Sequence, residues 1–343
     1  MDAENPGNTK IVNLALQGGG AHGAFGWGVL DALIEDGRVE IDGLSATSAG
    51  AMNAAVYAYH KMTGGMEAAR QGLEEFWRRV SHAGERLRGP FDGWLEGCGL
   101  GHFTARGWTE WMTRILSPYE FNPLNLNPLR EAIEESVDFE ALHACACTSL
   151  RICATNVRTG RLRIFDNPEV TADVVLDSAC LPHLFQAVEI EGEHYWDGGY
   201  IGNPAIFPLF EGLPSRDIVV IHLNPIARPD LPRSAPEIMN RINEISFNSS
   251  LLREMRAIDF VSELLARGWV KEEHREKLPA VRMHSIRDDA AMARLGVASK
   301  TNTDWAFLTG LRDRGRETAF AWLEANYAHI GVRSSVDLAA EFL

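Results

Sequence analysis

The chain has 343 residues, 45% of them hydrophobic and 23% charged, an ordinary globular composition with enough apolar side chains for a large core. Its 33 lysines and arginines against 47 aspartates and glutamates give a formal charge of −14. Such a chain repels nucleic-acid backbones and gains little attraction to anionic lipid head groups. We therefore expect no nucleic-acid partner, and any membrane contact must be local and hydrophobic.

The first part of the chain alternates between strand and helix patterns. Apolar runs predict strands at 11–16 and 39–44, and helical spacing of apolar residues predicts helices at 22–35, 49–60 and 66–79. Gly37 is placed to end the first helix. Strands that alternate with helices over so few residues indicate an α/β fold with a mostly parallel central sheet.

Residues 86–127 interrupt this alternation with an aromatic-rich segment. Two interpretations remain open: the rings cap the core, or they form an apolar lip around a lipid-binding cleft that touches a membrane surface transiently. Among the large apolar residues of the segment are Phe91, Trp94, Leu95, Phe103, Trp108, Trp111, Tyr119 and Phe121.

The second part of the chain returns to strands and then becomes helical. Strands are predicted at 150–156, 161–165 and 217–223, a further strand leads into Tyr195, and a helix at 171–180 stops at Pro182. After a proline-rich connector, the apolar spacing predicts helices at 237–267, 304–314 and 316–329.

Cysteine usage and the first residues of the sequence suggest a cytoplasmic location. Five cysteines, an odd number in mostly apolar surroundings, predict buried free thiols, and Cys145 and Cys147 have no second pair at zinc spacing. We also expect no signal peptide at the polar start and no membrane-spanning helix, because no run of about 18 apolar residues occurs.

The glycine-rich segment Gly18-Gly19-Gly20-Ala21-His22-Gly23 lies between the first predicted strand and helix. It matches the dinucleotide-binding pattern GxGxxG, and Asp42 follows at a suitable distance for a ribose contact. Consecutive glycine amides beside a helix N-terminus also bind a phosphate or the oxyanion of a reaction. A tight turn without a ligand is the third interpretation.

Ala46-Thr47-Ser48-Ala49-Gly50 nearly matches GxSxG, the pattern of a nucleophile elbow. Gly50 meets the need for small residues where strand and helix cross, whereas Ala46 is one methyl larger than the pattern asks. Ser48 would lie at a helix N-terminus, where the helix dipole stabilises negative charge. Taken alone, the serine is equally typical of a helix N-cap.

Asp197-Gly198-Gly199 follows a predicted strand and is, by itself, a common turn signal. At the edge of a parallel sheet it would also project a carboxylate, and the loops of such a sheet gather at the carboxyl ends of its strands. An aspartate with its usual pKa of about 3.9 is a weak base at neutral pH. Partial burial would raise that pKa and improve the base.

The three segments together, in this order, resemble the patatin-like phospholipases. The resemblance runs from about residue 11 to 210, includes Asp177-Ser178-Ala179-Cys180-Leu181-Pro182, and extends to a tail at 298–331 that looks like bacterial members. It implies a three-layer α/β/α fold and hydrolysis of lipid carboxylic esters, as by a phospholipase A or carboxylesterase, through an acyl-enzyme and without cofactor or metal.

The resemblance also assigns roles to single residues. Ser48 becomes the nucleophile, Asp197 its base, and the amides of the glycine segment the oxyanion hole. The oxyanion-hole residues are Gly18, Gly19 and Gly20, and the supporting positions are His22, Gly23, Ala46, Gly50, Gly198 and Gly199. We accordingly expect a flexible N-terminus at 1–10, a catalytic domain at 11–225 and a mainly helical region at 226–343 packed on the same domain.

Two positions depart from the family pattern, and one of them, Ala46, is the reason for an alternative hypothesis. Ala46 replaces the usual glycine, and His22 replaces the usual arginine or lysine, for which a protonated histidine would be a partial substitute. A weakened member that binds lipid or regulates is one alternative, and a dinucleotide-binding protein is another. His222 follows Asp197 in the order of a hydrolase triad but is interpreted as a packed core histidine.

Overall fold

A mixed sheet forms the centre of the computed structural model, which describes residues 9–86, 116–275, 278 and 280–343. Within this part the sheet has eight strands. Seven of them form a path of hydrogen-bonded neighbours, β5-β6-β3-β2-β1-β7-β8, and the eighth, β4, pairs with β3. The strands are β1 (Lys10–Leu16), β2 (Val39–Ala46), β3 (Ser149–Asn156), β4 (Leu162–Asp166), β5 (Val188–Ile190), β6 (Glu193–Asp197), β7 (Asp217–Ile221) and β8 (Arg282–Ile286).

Five strands of the sheet run parallel to one another, as predicted for an α/β fold. β1 pairs in parallel with β2 and β7, and β2–β3 and β7–β8 are parallel as well. β4, β5 and β6 join the sheet by antiparallel pairing. The predicted mostly parallel sheet flanked by helices is therefore confirmed, with an antiparallel edge that matters for the site.

Helices cover both faces of this sheet. α1 ends where Gly37 adopts a φ of 72°, as predicted. The helices of the described residues are α1 (Gly23–Asp36), α2 (Ala49–Arg86), α3 (Pro118–Phe121), α4 (Pro128–Glu134), α5 (Phe139–His143), α6 (Ala172–Asp177), α7 (Ala235–Ala266), α8 (Glu272–Arg275), α9 (Asp289–Met292), α10 (Trp305–Asn326) and α11 (Leu338–Phe342).

Alternating residues of the central strands enter two hydrophobic cores. In β1, Val12 and Leu14 belong to the core that contains α1, α2 and α10, whereas Ala15 belongs to the core that contains α7 and α11. Successive side chains of a strand point to opposite faces, so the two cores lie on opposite sides of the sheet. This arrangement gives the expected helix, sheet and helix layers.

The C-terminal region differs from its prediction in two ways. β8 lies in a stretch expected to be helical; its short sequence shows no alternation of apolar and polar residues, and pairing with buried β7 makes it a strand. The helices predicted at 304–314 and 316–329 form the single helix α10. Gly315 lies inside this helix. The position is a glycine because any side chain there would collide with the carbonyl of Phe25 on α1.

Several predictions fall partly outside the described residues. The predictions concerned are the flexible N-terminus, at residues 1–8, and the aromatic segment, at residues 87–115, which include Cys98. β1 begins at Lys10, inside the segment expected to be flexible, and the Lys10 ammonium donates to the carbonyls of Tyr327 and Ile330. Within the described residues, no helix has the length and apolar character needed to cross a membrane.

The described cysteines are free thiols, as expected, but they are not all buried. Three of them are buried in the core, whereas Cys147 is exposed. The Sγ atoms of Cys145 and Cys147 lie 3.3 Å apart without a covalent bond. The buried thiols are Cys145, Cys153 and Cys180.

Asp217, the first residue of β7, binds side chains of β8 and a backbone amide beyond α10. Its carboxylate accepts hydrogen bonds from Arg282 and from buried His284 on β8, and from the amide of Gly331 beyond α10. Burial alone raises the pKa of Asp217, but these hydrogen bonds hold it below its usual range. The stabilisation is therefore present above the ordinary carboxyl pKa and is lost only in stronger acid.

We expect Asp217→Asn to lower the free energy of unfolding by about 3 kcal/mol at neutral pH, because it leaves buried donors without their charged acceptor. Urea unfolding followed by circular dichroism measures this loss. Asp36→Asn is the control, since its partner Arg38 is 47% exposed and such a pair contributes less than about 1 kcal/mol. Equal losses in the two variants would contradict the assignment.

Candidate active site

Ser48 occupies a sharp turn between β2 and α2. Its φ of 56° is left-handed, which is a strained conformation for a residue with a side chain and is the geometry of a nucleophile elbow. The side chain is buried, with 6% exposed. The Ser48 amide donates to Ser178 Oγ at 2.9 Å, and Ser178 Oγ donates in turn to the carbonyl of Cys153 at 2.7 Å.

The two small residues on either side of Ser48, Ala46 and Gly50, differ in whether there is room for a side chain. A Cβ on Gly50 would lie 2.5 Å from the carbonyl oxygen of Leu16, so this position requires glycine. Ala46 is fully buried as the last residue of β2, paired in regular register with Leu16 and Ile152. The extra methyl of Ala46 is thus part of the core, and the sharp turn at Ser48 forms with it in place.

Asp197 reaches Ser48 because β2 and β6 share one edge of β3. Ala46 pairs with Ile152, and Asp197 pairs with Ala154, two residues farther along β3. β4 occupies the other edge over the same residues. β6 is antiparallel to β3, so the ends of β2 and β6 point toward each other. The two residues meet by this head-to-head arrangement, and not through parallel strand ends as the sequence argument supposed.

The carboxyl group of Asp197 is buried beside the Ser48 side chain. Burial raises its pKa to about 7, although hydrogen bonds from the Gly199 amide and Ser48 and the charge of Lys300 act in the opposite direction. The Gly199 amide donates to Asp197 Oδ1 at 2.7 Å. A carboxylate with this pKa matches the neutral range in which a general base is most effective.

The glycine loop lies directly against Ser48. A Cβ on Gly18 would be 2.5 Å from Ser48 Cβ. The Gly18 amide donates to Asn203 Oδ1 at 2.6 Å, so it is already engaged. The amides of Gly19 and Gly20 have no hydrogen-bond acceptor within the described part of the chain. Of the three amides expected to bind an oxyanion, these two are available.

A buried polar network behind the loop was not predicted from the sequence. The Gln17 side chain accepts from the amides of Leu223 and Asn224 and donates to the Asn203 carbonyl and to Asn248 Oδ1. These contacts join the end of β1 to the residues after β7, to the turn after Asp197 and to α7. The one sequence signal was an amide side chain at the end of an apolar strand.

The structure corrects the interpretations of His22 and Asp42 and confirms that of His222. Burial, aided by the charge of Lys300, lowers the pKa of His22 to about 3, so this residue is neutral and does not replace a cation. Asp42 lies inside β2, about 13 Å before its carboxyl end, and therefore not where a ribose contact would be made. His222 is a buried core residue that contacts Ser285, as predicted.

Asp177 is a second buried carboxyl group near the site. It is fully buried, and neither carboxyl oxygen has a hydrogen-bond partner among the residues that the structure describes. Burial and the neighbouring charges of Asp197 and Asp173 raise its pKa well above the usual value. Asp177 is therefore a second buried carboxyl group whose pKa is raised next to Asp197.

Comparisons with known proteins were made for sequence and structure. The model of the family described as patatin-like phospholipase matches residues 14–210, more than half of the chain. No curated protein sequence matches significantly. VipD from Legionella pneumophila is 16% identical with a TM-score of 0.43, over 93% of this chain and 67% of VipD. ExoU from Pseudomonas aeruginosa, in its complex with SpcU, is 14% identical with a TM-score of 0.35, over 93% of this chain but only 53% of its own.

Proposed function

The chain belongs to the patatin-like phospholipase family, a family of lipid hydrolases, and from this premise we propose that Ser48 and Asp197 form the catalytic dyad of a serine lipid acyl hydrolase. The single observation that supports the dyad most strongly is the position of the buried Asp197 carboxyl group beside the Ser48 side chain, with a pKa of about 7. A base of this kind activates a serine hydroxyl without a histidine.

In the proposed reaction, Ser48 Oγ attacks the ester carbonyl carbon while Asp197 accepts the hydroxyl proton. The carbonyl oxygen becomes an oxyanion, which the amides of Gly19 and Gly20 bind; each such donor stabilises the transition state by about 3–4 kcal/mol. Collapse of the tetrahedral intermediate breaks the bond to the alcohol, which leaves with the proton from Asp197. Water, deprotonated by Asp197, then hydrolyses the acyl-enzyme.

The proposed substrate is a lipid carboxylic ester such as a phospholipid, with transient contact to a membrane surface through the 86–127 segment. In the described end of this segment, Tyr119, Leu124 and Leu126 are largely exposed, and these side chains support the contact. A cytoplasmic location is also proposed; the unbonded thiols of Cys145 and Cys147, close enough to react under oxidising conditions, support it.

The proposal predicts that a fluorophosphonate labels the protein on Ser48, because only an activated serine reacts with this probe. Peptide mapping by mass spectrometry locates the label, and hydrolysis of short p-nitrophenyl esters and phospholipid vesicles is measured in parallel. We expect Ser48→Ala to abolish both labelling and turnover. Ser81→Ala, a buried serine on α2 without a partner in the described residues, should leave both unchanged. Turnover that survives Ser48→Ala would end the proposal.

A further inference from the structure

Lys300 is a partly buried lysine near the site that has no carboxylate partner among the residues that the structure describes. It lies in a short 3-10 turn, Val297–Thr301, of the C-terminal region. Its ammonium group donates to Asn224 Oδ1 at 3.0 Å and to Asn243 Oδ1 at 2.8 Å, and it lies 4.9 Å from the ring centre of Phe247. Burial lowers its pKa to about 8, against the charges of Asp197 and Glu244.

This arrangement differs from a stabilising ion pair. Buried ammonium groups are normally paired with a carboxylate, because the loss of hydration is costly. Both acceptors of Lys300 are neutral amide oxygens. A charge kept at this cost without a salt bridge in the described part of the chain suggests a function other than stability.

The turn that contains Lys300 contacts the glycine loop directly at two points and through Asn224 at a third. Asn224 Nδ2 donates to the Gly18 carbonyl at 3.1 Å, so the contact between Lys300 and Asn224 extends to the loop. The backbone carbonyl of Lys300 lies against Gly20 and leaves no room for a side chain there. Ser299 Oγ and His22 Nε2 form a hydrogen bond of 2.7 Å.

Lys300 also lies beside the turn that follows Asp197. The Phe247 ring, which Lys300 contacts, packs so closely on Gly199 that a Cβ there would lie 2.5 Å from it. Gly199 in turn donates its amide to Asp197. Lys300 therefore contacts residues on the glycine loop side and on the aspartate side of the site.

The other titratable groups around Lys300 and Asp197 are neutral, buried with a raised pKa, or already paired. His22 is neutral, burial raises the pKa of Asp177 well above its usual value, and Glu244 forms ion pairs with Arg228 and Arg241. Within the described residues, Lys300 is the positive charge that acts on Asp197. No other cation there opposes the effect of burial on this carboxyl group.

We infer that Lys300 is a positioning residue of the proposed dyad, which holds the glycine loop through Asn224 and favours the ionised form of Asp197. It would thus provide, from the C-terminal region, the positive charge that the family pattern places at the position of neutral His22. This inference rests on the proposed function. It adds a residue that neither the three motifs nor the matched range 14–210 contains.

The test compares Lys300→Met and Lys300→Arg by the pH dependence of kcat/KM on an uncharged p-nitrophenyl ester. We expect Lys300→Met to move the acid limb upward by about half a pH unit or more and so to lower kcat/KM at pH 7 about twofold or more. Lys300→Arg should restore most of both. A loss of activity with an unmoved acid limb in Lys300→Met would overturn the inference, because a purely structural role predicts that result.

A second lysine controls for the loss of hydrogen bonds alone. Lys61 also donates to neutral acceptors, among them the carbonyls of Ile41 and Cys147, but its charge does not act on Asp197. Lys61→Met should leave the acid limb in place. Thermal unfolding of every variant shows that each is folded.

The titration of Asp197 is also measured without turnover, by ¹³C carboxyl NMR assigned with Asp197→Asn. An upward shift of its pKa in Lys300→Met supports the inference even if the wild-type protein hydrolyses no ester, and an unchanged pKa overturns it. Failure of the proposed function is recognised separately, by a wild-type protein that a fluorophosphonate does not label.

Discussion

Asp197→Asn should lower kcat/KM for ester hydrolysis by about 10²- to 10⁴-fold, the range that a general base contributes. Asparagine has nearly the same size and retains an oxygen for the Gly199 amide, but it cannot accept the Ser48 proton. The loss should appear mainly in kcat, because the carboxylate acts in the chemical step. Steady-state kinetics on a short p-nitrophenyl ester measures it.

The pH profile of the wild-type protein tests the same assignment. Since the base must be ionised and the pKa of Asp197 is about 7, kcat/KM should rise with pH through about 7 and fall roughly tenfold for each unit below it. Asp177→Asn is the control: neither carboxyl oxygen of Asp177 has a hydrogen-bond partner within the described residues, so its replacement should change activity less than tenfold. Asp197→Asn with more than a tenth of wild-type activity would show that another group is the base.

The parts of the fold and site that the sequence predicted are those set by neighbouring residues. Apolar periodicity predicts β1, α1, β2 and the start of α2, because each pattern lies within one element. The glycine loop and the elbow are also short motifs in the sequence, although the contact that requires Gly50 is a tertiary one, with the carbonyl of Leu16 at the end of β1. Motifs of this kind can be recognised without knowing what packs on them.

The parts that sequence analysis missed depend on contacts between distant segments. Asp197 meets Ser48 only through the register of β3 with both β2 and β6, and no local pattern encodes that register. The engagement of the Gly18 amide by Asn203 depends equally on tertiary packing. Lys300 was missed because a single lysine in a polar turn is typical of an exposed loop. The division of the chain at residue 225 stays a prediction.

The same carboxyl group should make the active protein less stable than its inactive variant. The pKa of Asp197 is raised from 3.8 to about 7 in the folded state. Its contribution to stability is therefore fully present below 3.8 and is lost as the pH rises through 7. Asparagine does not ionise, so Asp197→Asn should be more stable than the wild type at neutral pH.

The advantage of Asp197→Asn in the free energy of unfolding should be about 4 kcal/mol at pH 7.5 and about 1 kcal/mol at pH 4.5, since each pKa unit corresponds to about 1.4 kcal/mol. Urea unfolding of both proteins over this range, below the pKa of about 8 of Lys300, measures the difference. Asp177→Asn should show a trend in the same direction, because burial also raises the pKa of the Asp177 carboxyl above its value in the unfolded chain. A constant difference between Asp197→Asn and wild type would mean that Asp197 titrates normally. The base would then lack the burial on which the proposed dyad depends.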